Sequence, residues 1–127
     1  MKFEEYYISN KDGKSNCVVR SFCKLYNKEY DEVYNDLVTL SNKLNSSSFN
    51  DIIVFEKYME NNNTYKIDYG EGLLLKDLKL EKGSYIVFCY DKKDYYHMVT
   101  IIDNILYNKN SNSLLLYVIS IYKENNI

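Results

Sequence analysis

The chain changes its hydrophobic period at Asn61-Asn62-Asn63, and that switch constrains the fold more than any other feature. Upstream, apolar residues recur at helical spacing in three groups: Val18, Val19, Phe22, Leu25 and Tyr26; Val33, Leu37 and Leu40; Ile53, Val54, Tyr58 and Met59. Residues three and four apart share one side of a helix, so each group predicts an amphipathic helix. Ser15 or Asn16 can cap the first, Asp31 the second, and Asn50 opens the third. Downstream, Tyr65–Tyr69, Tyr85–Tyr90, Tyr96–Ile102, Ile105–Tyr107 and Leu114–Tyr122 are β-branched and aromatic runs between polar turns, and read as strands. Gly70-Glu71-Gly72 breaks the chain, Leu73–Leu78 reads as a helical turn, and Asp103-Asn104 as a two-residue hairpin turn. Residues 1 to 15 carry one turn signal, Asp12-Gly13, and read as a surface lead-in. Helices first and strands second give an α+β class, with N-terminal helices packed on one face of a C-terminal antiparallel sheet.

At 127 residues the chain is expected to form a single domain, residues 1–127, with a core that needs no disulfide or metal. The 15 tyrosines accompany an absence of proline and an abundance of Asn, Lys and Ile, so a coding bias explains them as a group. A net charge of −2 offers no basic field for a phosphate backbone, and nucleic acid is not expected as a partner. The opening MKFEEYYISNKDGK lacks the layout of a signal peptide, and no run approaches the roughly 20 apolar residues that span a bilayer, so a cytoplasmic protein is expected. Cys17, Cys23 and Cys89 have no CxxC spacing, and one histidine does not complete a zinc site with them. Free thiols and no metal or cofactor follow.

A thiol becomes nucleophilic when its thiolate is stabilised, and the N–H groups at a helix start supply such stabilisation. Cys17 stands at that place; Cys23 falls inside the helix and Cys89 inside an apolar strand, as inert core residues. The chemistry needs a base, and His97 is the single histidine. Strand alternation puts His97, Val99 and Ile101 on one face, where the imidazole can point at a helix packed there. A third polar group would orient the ring. Asp103 lies at the far end of the same strand, about 20 Å of extended backbone away. Asn108, on the returning strand, comes back beside His97 and is the better candidate.

Asn16-Cys17-Val18-Val19-Arg20 followed by Tyr30-Asp31-Glu32-Val33-Tyr34, then Lys82-Gly83-Ser84-Tyr85-Ile86-Val87 and His97-Met98-Val99-Thr100-Ile101-Ile102-Asp103, resemble small papain-like cysteine peptidase-fold proteins of bacteria and their phages. The resemblance spans most of residues 14 to 123. It implies a papain-like fold and a cysteine hydrolase, a peptidase, isopeptidase or amidase, working through a Cys17, His97 and Asn108 triad and a thioester on a protein or peptide substrate. The pattern departs from the family in carrying Asn108 where aspartate is more usual and Tyr96 where a small residue precedes the histidine. The resemblance also implies an amide donor upstream of Cys17 for the oxyanion, for which Asn10 is the nearest residue. Arg20, one turn from Cys17, can bind an acidic substrate group or form a structural ion pair, and Tyr96 with Tyr95 can line a cleft. The alternative is a catalytically inactive papain-fold binding protein, such as a phage-encoded inhibitor acting on a host protein.

Overall fold

The computed structural model describes residues 1–8, 16–91 and 95–125. Strand β1 (Lys2–Glu5) is followed by three helices, α1 (Cys17–Tyr26), α2 (Tyr30–Lys43) and α3 (Ile52–Asn61), then by β2 (Thr64–Ile67), β3 (Ser84–Tyr90), β4 (Tyr96–Ile102), β5 (Ile105–Asn108) and β6 (Tyr117–Glu124). Short 3-10 turns at Leu75–Asp77 and Ser111–Leu115 interrupt the second half. The α+β class holds, as three helices and one six-stranded sheet among the described residues.

Local chemistry explains the element ends. Asn27 stops α1 by taking the left-handed conformation that asparagine tolerates. Helix α2 starts earlier than its predicted cap: Glu29 occupies the N-cap position, and Asp31 with Glu32 lies in the first turn, where a negative charge complements the helix dipole. Asp51 rather than Asn50 precedes α3. The β4–β5 hairpin turns at Asp103 and Asn104, both at positive φ (50° and 65°), as a two-residue turn between right-twisted strands requires. Leu114 and Leu115 belong to a 3-10 turn, so the last strand begins later than its apolar run suggests.

The sheet order is β1-β5-β4-β3-β6-β2. Two expectations are corrected here. The lead-in is not a surface coil throughout, because Lys2–Glu5 pairs in parallel with β5, making the sheet mixed rather than antiparallel. The strands also depart from a simple meander after β5: with that edge taken by β1, β6 returns to pair with β3 on the other side.

Both sheet faces are apolar and both are covered. Ile86 and Met98 project into the helical core with Val19, Phe22, Val33, Leu37, Val54 and Met59. Tyr85, Val87, Cys89, Val99, Ile101 and Leu106 project into a second core, closed by Leu75, Leu78 and Leu80 from the loop side. Among the described residues no helix is long and apolar enough to cross a membrane.

Phe22 is fully buried against the rings of Tyr26 and Tyr58. Phe22→Ala is expected to lower the unfolding free energy by about 3 to 5 kcal/mol in urea titration. Gly70 has φ +83°, and a Cβ there would lie 2.9 Å from the side chains of Ile121 and Leu78. Gly70→Ala should therefore destabilise by more than about 1 kcal/mol in the same titration.

Candidate functional site

Helix α1 is apolar on most of its surface, but Cys17, Arg20, Ser21 and Lys24 recur at i, i+3, i+4 and i+7 and form one polar stripe. That stripe faces β4 and β5. Ser21 Oγ donates to the Met98 carbonyl at 3.0 Å, and Thr100 Oγ1 donates to the Ser21 carbonyl at 2.8 Å. Lys24 Nζ lies 4.2 Å from the centre of the Tyr107 ring. These contacts fix where Cys17 and Arg20 sit relative to the strands.

The helices pack on the sheet face opposite to the one expected from His97. Met98 and Ile86 meet α1 to α3, whereas Val99 and Ile101, which share a face with His97, belong to the second core. His97 pairs across the strands with Cys89, which faces the same way. The link between the two faces is made at the end of β5. Asn108, the last residue of that strand, lies beside the His97 ring, with its amide nitrogen 2.8 Å from Nε2. Its carbonyl oxygen accepts from the Arg20 guanidinium at 2.9 Å. All three are buried, with exposures of 4% for Arg20, 8% for His97 and 3% for Asn108. A buried guanidinium demands such a partner, because desolvation without one is costly.

Backbone contacts hold the chain of side chains in place. The Asn108 carbonyl accepts from the Tyr6 N–H at 2.9 Å, so the segment after β1 anchors the end of β5. Asp91 and Tyr95 close the mouth of the β3–β4 hairpin, with the Asp91 carboxylate accepting from the Tyr95 N–H at 3.1 Å. That closure stacks the Tyr95 ring on His97, with centroids 5.7 Å apart and an interplanar angle of 23°. Arg20, Asp91, Tyr95, His97, Asn108 and Lys109 line part of a cavity of about 500 Å³.

Cys17 is the first residue of α1 and half-buried. The Met98 backbone N–H is near enough to favour a thiolate at Cys17, which puts the thiol close to the strand position that follows His97. Arg20 and the N–H groups of Val18 and Cys17 also favour a thiolate, yet burial outweighs them and pushes the thiol up. The helix start therefore supplies the expected stabilisation without lowering the thiol. Cys17 is not among the described residues that line the cavity. All three cysteines are free; Cys23 lies in the helical core, and burial drives the Cys89 thiol far up.

Tyr96 alternates with His97 and stacks on Phe88 over the helical side, 57% exposed and outside the described cavity lining; Tyr95 takes the place beside the ring. Asp103 is a turn residue whose carboxylate accepts from the Gly83 N–H. Asn10 lies outside the described residues. Among the described residues no group of His, Cys, Asp and Glu could hold a metal ion. The polar stripe on α1 was the signal that could have placed Arg20 and Ser21 on the strands.

Because the fold holds Cys17 protonated, its alkylation by iodoacetamide should rise with pH along a curve displaced above the ordinary thiol value of about 8.5. Peptide mapping of the labelled protein across neutral to alkaline pH checks this; a midpoint below the ordinary value contradicts it.

The chain matches no family model, no curated protein and no solved structure in the three comparisons made.

Proposed function

We propose that the protein is a papain-like cysteine hydrolase acting on a peptide, isopeptide or side-chain amide bond. The observation that carries this reading is the hydrogen-bonded Asn108 and His97 pair, with Cys17 near the Met98 amide that follows it on the strand. A nucleophile, a base and a group that orients the base are the minimum for acyl transfer through a thioester. In the reaction, the Cys17 sulfur bonds to the substrate carbonyl carbon as its proton passes to His97. Collapse of the tetrahedral intermediate breaks the C–N bond, and His97 returns that proton to the leaving amine. Water, deprotonated by His97, then attacks the thioester and releases the acid, and the proton restores the Cys17 thiol. The cavity beside His97 offers the substrate Asp91 and Lys109 as charged contacts. Free thiols suit a reducing compartment such as the cytoplasm.

A second reading, a binding protein that retains the scaffold and acts on a host protein, is favoured by one specific observation. The Cys17 thiol is held up by burial and is not among the described residues lining the cavity. The two readings part over what His97 does for Cys17. In the hydrolase, Cys17→Ala abolishes turnover of a peptide-amide and isopeptide panel and His97→Ala lowers it at least tenfold, with Cys17→Ala leaving the unfolding midpoint near that of the native protein. Equal turnover in native and His97→Ala protein, or turnover that survives in Cys17→Ala, rejects it.

A further inference from the structure

We propose that Arg20 is a positioning residue that fixes the His97 ring as the neutral tautomer with its proton on Nδ1, and thereby restrains the ring from taking the Cys17 proton. A guanidinium carries only donors, so the end of the Asn108 amide that meets it at 2.9 Å must be the oxygen. The NH2 end is then the one that faces His97 Nε2 at 2.8 Å. A ring nitrogen facing an N–H donor must present its lone pair. A neutral imidazole has one N–H, and with Nε2 accepting, that proton resides on Nδ1.

The consequence for Cys17 rests on the hydrolase reading; the tautomer does not. Nε2 is taken by Asn108, so proton exchange with the thiol has to pass through Nδ1, which already carries a proton. Nδ1 becomes an acceptor only if the Asn108 amide turns over, and turning it over points the NH2 group at the Arg20 donors. The resting site is thus held in neutral forms by a residue one turn along α1 from the nucleophile. A carboxylate at position 108 would remove the restraint, because it accepts from Arg20 and from Nε2–H together. Among the described residues, the other charged or titratable groups around the ring include the stacked Tyr95, Asp91 and Lys109 on the cavity wall, and the Cys89 thiol donating to the His97 carbonyl.

His97 is the single histidine, so a long-range ¹H–¹⁵N spectrum of labelled protein at neutral pH reports its ring without assignment. The native protein should show Nδ1 protonated and Nε2 unprotonated. Asn108→Asp should move the proton to Nε2 or charge the ring, and should speed Cys17 alkylation at least tenfold over native. Arg20→Met, which frees the amide to turn, should bring Nε2–H into the spectrum and serves if the first variant does not fold. A native ring protonated at Nε2, or an unchanged pattern in the folded variants, overturns the positioning role. Ring patterns as expected with unchanged alkylation overturn the restraint on Cys17. Absence of turnover with every ring pattern and labelling rate as expected counts against the hydrolase reading alone.

Discussion

The seating of α1 on β4 is the interaction on which the rest of the site depends. Two hydrogen bonds that meet at Ser21, one donated by its hydroxyl to Met98 and one accepted by its carbonyl from Thr100, tie a helix to one of the two central strands of the sheet. Both are buried, and breaking either would leave a polar group without water to replace its partner. A helix held only by apolar packing could shift along the sheet at small cost. This one is registered to the strand, and the register decides that Cys17 meets the Met98 amide and Arg20 meets Asn108.

That register also explains how one site draws on both sides of the sheet. The helices cover the face of Met98, while His97 points to the face of Val99 and Ile101. At the end of β5 the two sides meet through polar groups, and there Asn108 bridges the guanidinium and the imidazole. Strand β1 contributes by pairing with β5, and the chain just beyond it adds the Tyr6 bond to the Asn108 carbonyl. A short N-terminal strand thus steadies, through its backbone bonds, a residue more than 100 positions away in sequence.

The sequence and the structure agree where the signal is local and periodic. The start of α1 at Cys17, the span of β4 and the left-handed turn at Asp103 and Asn104 were all legible, because period and turn chemistry act over a few residues. Strand β1 was not legible: of its four residues only Phe3 is even partly buried, and its place comes from hydrogen bonding to β5. Alternation correctly grouped His97 with Val99 and Ile101, yet could not say which face the helices would cover, since Ile86 and Met98 are as apolar as Val87 and Val99. The nearness of Asn108 to His97 followed from hairpin geometry. The role of Arg20 did not, because a single cation on a helix has too many partners to choose from until the strands are in place.

The buried bond between Arg20 and Asn108 holds the site together, and a double-mutant cycle with Arg20→Met and Asn108→Ala, followed by urea unfolding, measures it most directly. A coupling energy of about 1 to 3 kcal/mol is expected for two contacting buried groups, one of them charged. Additive effects of the two substitutions would contradict it, and would mean that the guanidinium and the amide do not share the bond on which the His97 ring depends.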